Sequence, residues 1–315
     1  MSFFRHKQSK VNALFCGLKL EQRMKRNFLL ILFFIIVSPL WINAQSELKT
    51  TNLQSYTPSV LIDKATTEFK LFNNIYTQTQ FFDDTRSKIN DNNRSTYFTA
   101  VTELNYGLSN KVTFGGELWF KSVKIDDANN SPLGVLSFTN SPTARTAVSG
   151  LGLKVKWSPF KKWSRLSIQT ALIANVLKDP ESKKINRPFL DNNRHQWITR
   201  IFHDKQFGDK FQLFTQLSTW VSIDKELGKE SSGVAIPLDV FASYFATSKL
   251  TLYLQNQFWP SLGSDGLSSY FLQEGLGVKY QLFPGVELEG LYTQFLWGEN
   301  TGAGETFNIG IRVLN

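Results

Sequence analysis

The chain contains a single cysteine, Cys16, in 315 residues, and it lies within a stretch that has the marks of a secretory leader. The remainder has no disulfide to rely on, so it must be stabilised by buried area or by closure of a sheet on itself. Histidine is almost as scarce. Beyond the leader only His195 and His203 remain, which is thin material for histidine-based catalysis. The apolar run Phe28 to Val37 is ten residues, too short for a spanning helix of roughly 20. The net charge of +9 also loses force when divided: residues 1–44 hold seven Lys/Arg against one Asp/Glu, leaving 28 basic and 25 acidic side chains over 45–315. Most of the basic character sits in the leader, and no nucleic-acid partner is expected.

Met24-Lys25-Arg26-Asn27, the run Phe28 to Val37, and Ser38 to Ala44 before Gln45 form a basic region, an apolar core and a small residue at the cut. This is a signal peptide with cleavage after Ala44, and Met24 is the better translation start. Residues 45–64 then form a polar periplasmic lead-in, and 65–315 one large domain.

That domain is organised around Tyr97 to Lys124. In the first arm Phe98, Ala100, Thr102, Leu104 and Tyr106 alternate with Glu103 and Asn105. After Gly107-Leu108-Ser109-Asn110, Val112, Phe114, Gly116, Leu118 and Phe120 alternate with Thr113, Gly115, Glu117, Trp119 and Lys121. Strict alternation over two arms of about ten residues describes an antiparallel hairpin between two environments, with arms long enough to cross a bilayer at a tilt. The same grammar runs along the chain: strands at 65–82, 147–158, 163–177, 195–207, 210–224, 237–246, 249–259, 268–282, 286–297 and 305–314 join the two of the hairpin. Connections alternate between turns of two to four residues and longer polar loops at 83–95, 126–146, 179–194, 225–236, 260–267 and 298–304. An all-β chain with about twelve strands and loops sorted by end predicts a transmembrane antiparallel β-barrel with short periplasmic turns and long extracellular loops.

The signal peptide, Tyr106-Gly107-Leu108-Ser109-Asn110-Lys111 before a strand, the alternation of turns and loops, and the terminal strand resemble bacterial outer-membrane β-barrel proteins. In particular they resemble the channel-like group named as transporters of the phenol-degradation meta-pathway type. The Ile42-Asn43-Ala44-Gln45 region is similar to Bacteroidetes signal peptides. The resemblance implies the outer membrane of a Gram-negative bacterium, with membrane lipid and the barrel-assembly machinery as partners and small solutes as cargo. The final Val313-Leu314-Asn315 departs from the aromatic ending usual in such chains.

If the apolar rows face lipid, the opposite rows line a lumen and must satisfy one another. These rows carry Gln, Asn, Ser, Gly and charges of both signs: Glu68, Lys70, Glu103, Glu117, Lys121, Lys154, Lys156, Arg165, Arg200, Lys279, Glu287, Glu289 and Arg312. They are the candidate lumen residues. Trp119, Trp220, Trp259 and Trp297 share that parity and narrow the lumen, while Trp157, Trp163 and Tyr292 suit an interfacial girdle. Glu274 shares parity with Leu276 and Val278. Either a bulge re-aims it or it sits above the membrane edge.

Asp83-Asp84, His203-Asp204 and His195 are the available groups for catalysis; Asp83-Asp84 reads more simply as a solvated pair and His195 as a surface histidine, while His203-Asp204 lies near a periplasmic turn, at the opposite end from the Asp83-Asp84 loop. No nucleophile elbow, phosphate loop or metal-ligand spacing is present, so no catalytic residue, cofactor or metal is expected. Two function classes stand: a passive channel for small solutes through a mixed-charge lumen, and a closed structural or adhesive barrel acting through its loops. An outer-membrane hydrolase and a soluble secreted β-protein are the lesser alternatives.

Overall fold

A computed structural model describes residues 58–160, 165–178, 186–190, 194–223 and 233–315. The signal peptide with its start at Met24, most of the lead-in, and Trp163 lie outside the described residues.

The described chain is almost entirely strand: β1 Thr67–Phe82, β2 Lys88–Ser109, β3 Val112–Asp127, β4 Ala144–Trp157, β5 Leu166–Asn175, β6 His195–Phe207, β7 Phe211–Ile223, β8 Val234–Ala235, β9 Leu238–Phe245, β10 Leu250–Gly263, β11 Gly266–Phe283, β12 Val286–Glu299, β13 Thr301–Gly302 and β14 Glu305–Leu314. Two of these, β8 and β13, are two-residue extensions, which leaves twelve long strands. Each long strand pairs antiparallel with the next, and β14 returns to β1 from Glu68↔Leu314 to Thr77↔Glu305. The sheet is a closed barrel.

The two faces have inverted polarity relative to a soluble protein. Leu104, Leu151, Leu252, Leu276 and Ile309 point outward and are exposed, whereas Glu68, Asn105, Glu117, Lys154, Gln255 and Thr293 point inward and are buried. The extremes decide the matter: Ile309 is 67% exposed and Glu117 6%. An apolar exterior around a polar interior is stable only where the outer solvent is hydrocarbon.

Short turns at Asn110–Lys111, Gly208–Lys210 and Pro284–Gly285 stand at one end. Gly285 has φ +82°, and a Cβ there would lie 2.5 Å from the Leu314 carbonyl. Only glycine suits that turn. At the opposite end, the β3–β4 loop contains a short 3-10 helix, Pro132–Ser137, capped by Ser131. The loop lays Phe138 against the outward Phe98 and Phe120, 5.4 Å from each ring.

Two expected loops are strand instead. β2 begins at Lys88 rather than after Ser95, and it pairs with β1 out to Phe82↔Lys88, past a bulge between Gln78 and Gln80. β10 and β11 continue to Gly263 and Gly266, so the expected loop 260–267 reduces to a turn. Beyond the membrane edge neither face must be apolar. A ladder continues there on backbone bonds alone, without the alternation that marks it in sequence.

Candidate lumen and its charged layer

The segment before β1 turns back into the periplasmic mouth. Ala65 N–H donates to the Gly107 carbonyl at 2.8 Å, and the preceding residues enter the lumen with Ser59, Leu61 and Ile62 buried. The absence of a side chain at Gly107 permits this, because a Cβ would fall 2.0 Å from the Asp63 carbonyl oxygen. Two inward side chains hold the segment. Lys156 Nζ donates to the Val60 carbonyl at 2.7 Å and to that of Pro58, and Ser59 Oγ donates to the Asp204 carboxylate.

Next to this segment lies a cavity of about 180 Å³ bordered by Glu68, Lys70, Glu103, Lys154, Arg200 and Arg312. Each carboxylate here has a cation at hand. Glu68 accepts from Arg312 at 2.6 Å and 2.7 Å, from Lys70 at 3.1 Å and from Asn105 at 2.9 Å. Lys154 lies between Glu103 at 2.5 Å and Glu117 at 3.4 Å. Lys279 is 3.6 Å from Glu289, which also accepts from the Tyr253 hydroxyl at 2.5 Å. Glu287 is buried opposite Arg312 in the β12–β14 register. Such charge-assisted bonds offset the desolvation of groups turned away from bulk water.

Two further features line the wall. One is a ladder of polar side chains that crosses strands: Gln216 donates to Asp239 at 3.1 Å, Gln257 to Asp239 and Gln273 to Gln257, both at 2.5 Å, and Thr293 to Gln273 at 3.0 Å. The other is an aromatic file, Trp119–Trp220–Trp259–Phe271–Phe295–Tyr76, with successive ring centroids 4.5–6.3 Å apart. Ile173 and Ile198 pack against Trp119. Toward the extracellular end Leu177 and Leu190 close over Val123.

Most of the candidate lumen residues therefore share one inner surface. Lys121 is buried 6.0 Å from the Trp119 ring, and Arg200 lies 5.3 Å from that of Trp220. Arg165 is separate: it sits on the turn before β5 and donates to Gln206 at 2.8 Å. Trp119, Trp220 and Trp259 line the lumen, but Trp297 does not. The β11–β12 register skips Leu296 between Phe295 and Trp297, and this bulge turns Trp297 outward, where it packs on Tyr270. Tyr292 is outward but mid-strand, bonded to Glu305 at 2.8 Å; Trp157 ends β4. Glu274 remains on the outer face in regular register with Asn256 and Gln294.

The catalytic possibilities separate on the same geometry. Asp204 is buried in the lumen while His203 faces outward and is exposed, so these neighbours cannot act on one substrate. Asp83 accepts from Thr85 and from the Ser87 N–H, and the Thr85 hydroxyl bond heads the effects that hold its carboxyl below the usual range. His195 Nδ1 accepts the Asn175 N–H at 3.0 Å. Sequence reasoning missed Asp204, Asp239 and Tyr253 as lumen groups; each lies on a polar row whose parity was readable.

Neither a protein-family model nor a curated protein matches this sequence. Among solved structures, the COG4313 outer membrane channel from Pseudomonas putida F1 superposes with a TM-score of 0.59 at 12% identity, covering 82% of this chain and 98% of that one. The β-domain of the Bordetella autotransporter BrkA gives 0.48 at 13% identity, over 79% and 99% of the two chains. The NanC porin gives 0.44 at 8%, over 78% and 98%. With its closed twelve-strand wall, apolar exterior and charged lumen, the chain has the fold of a bacterial outer-membrane β-barrel.

Proposed function

We infer that this barrel is a passive channel for small solutes, located in the outer membrane once the leader is removed. The observation that carries this reading is the paired charges of both signs around an internal cavity. A barrel that needed only to be filled would do so more cheaply with apolar side chains, since burying ions costs several kcal/mol each before pairing. A lumen lined by carboxylates and cations instead suits hydrated traffic, with the local balance of sign setting ion preference. The Pseudomonas putida protein of the same fold is described as an outer membrane channel, which supports the reading.

A second reading is favoured by what stands at the two ends. Residues 58–64 enter the periplasmic end, and Leu177 and Leu190 are buried against Val123 toward the other, as in a closed barrel that works through its loops. Planar-bilayer recording separates the two. A channel gives discrete openings, and Glu287→Gln with Glu289→Gln shifts the reversal potential toward anion selectivity under a salt gradient, because two lumen carboxylates are lost and Lys279 then lacks its counter-charge. Absence of any conductance from correctly folded wild type refutes the channel.

A further inference from the structure

The outer wall is not apolar throughout. Asn256, Glu274 and Gln294 stand side by side on β10, β11 and β12 through direct cross-strand pairing. All three are exposed, and none makes a side-chain hydrogen bond or ion pair with a described residue. Glu305, next in the same row, is held by Tyr292 at 2.8 Å. The unpaired carboxylate is Glu274.

Its depth follows from the register. The pairing row containing it starts at Leu166, at the periplasmic end of β5, and climbs strand by strand to Ala144 at the extracellular end of β4. Glu274 and Gln294 stand midway. Toward the extracellular side the outward rings of Phe258, Tyr270 and Trp297 pack together, with centroids 6.0 and 4.9 Å apart, in the manner of an interfacial girdle. Toward the periplasm lie exposed Leu254, Leu276 and Val278. The polar row is thus inside the hydrocarbon band, where acyl chains offer it no donor and an unsatisfied carboxylate is costly.

Beside the row the wall is also hollow. An outward depression of about 890 Å³ includes the small residues Ala242 and Gly290, with Leu252, Leu254 and Leu276 around them.

We propose that this β10–β12 wall is the contact face of a homodimer whose twofold axis runs along the membrane normal, between β11 and β12. Two copies inserted by the same route share one orientation, so such an axis brings together equal heights and the same patch on both. At the axis, Glu274 of each copy lies opposite Gln294 of the other, and the amide N–H donates to the carboxylate twice over. A carboxylate beside an amide is complementary to its own twofold image, which selects a second copy over lipid. Further out, β10 of one copy faces β14 of the other. Leu254, Leu276, Tyr292 and Phe307 form one climbing row, so Ile309, two residues below Phe307, comes level with the depression. It is 67% exposed and fits there as a knob.

The test uses single cysteines in the full chain with Cys16→Ser. Leu276→Cys, on β11 two residues below Glu274, places a thiol beside the axis while keeping Glu274 and Gln294, and Leu153→Cys, on β4, places one on another part of the wall. Treatment of outer membranes with a short bismaleimide is expected to convert most of the Leu276→Cys protein, and little of the Leu153→Cys protein, to a covalent dimer. In mild detergent, the wild type is expected at twice the single-chain mass. Glu274→Leu is expected at the single-chain mass, with the unboiled gel mobility of a folded barrel unchanged. Equal cross-linking at the two positions, or a wild type at single-chain mass, overturns the proposal and leaves the wall facing lipid.

Discussion

Lys154→Met tests how dry the charged layer is. The Lys154 side chain is 5% exposed and is shared by the side chains of Glu103, 24% exposed, and Glu117, 3% exposed. Methionine keeps the approximate length of the side chain and removes the charge, so the packing loss is small and the electrostatic loss dominates. Glu103 can regain water, whereas Glu117 keeps only the Trp119 indole N–H at 2.9 Å. Removing one partner of a buried pair costs about 3–5 kcal/mol. With one carboxylate able to rehydrate, the lower end, about 3 kcal/mol, applies. The same contact in bulk water is worth about 1 kcal/mol at 4 Å, against about 4 at an effective dielectric of 20. Urea titration of refolded protein in liposomes reads the difference. Adding Glu117→Gln to Lys154→Met is expected to recover most of the loss. A Lys154→Met variant within about 1 kcal/mol of wild type refutes the reasoning, because it means that bulk-like water reaches Glu117.

Leu254→Arg, on the exposed outer row just periplasmic of Asn256, is expected to cost about 2–4 kcal/mol, and Gln255→Arg on the inner row much less; similar losses in urea titration contradict the assignment of faces. Lys156→Met removes the donor to the Pro58 and Val60 carbonyls, so single-channel conductance is expected to rise with little change in unfolding; unchanged conductance means that the lead-in does not limit flow. A cysteine at Ala128, in the β3–β4 loop, is expected to react with an impermeant maleimide on intact cells while one at Asp209, in the β6–β7 turn, stays unlabelled; equal labelling reverses the topology.

The parts of the fold that were readable in sequence are those where the membrane imposes two environments. Between lipid and lumen each strand must alternate, and His195–Phe207 and Glu305–Leu314 have the same bounds in sequence and structure. Where the constraint lapses, the signal lapses too: Lys88 to Ser95 and Pro260 to Gly263 extend the ladder in solvent. Trp297 was misplaced because parity counting fails after one skipped residue, and nothing local in Gln294-Phe295-Leu296-Trp297 marks the bulge. Glu68, Lys154 and Arg312 could be assigned to the polar rows by parity, but their partners could not, since Arg312 reaches Glu68 only through closure. The position of Pro58 to Lys64 was invisible for a similar reason. It depends on Lys156 and Asp204, far along the chain, and the segment has no periodicity of its own.

Closure through β1 and β14 also governs the order in which this molecule can come into being. Among the described strands, the one that seals the sheet, β14, is made after the others and its partner β1 before them, with Asn315 and Thr67 joined by reciprocal backbone bonds of 2.9 Å. Until residue 314 has emerged, every partial sheet carries two raw edges, each a template for pairing with a wrong strand. The decisive contact also spans nearly the whole length of the chain, which makes spontaneous formation slow. A chain delivered from its N-terminal side therefore cannot close until β14 has followed the other strands. A chain lacking Glu305–Leu314 would remain an open ribbon with both edges unpaired.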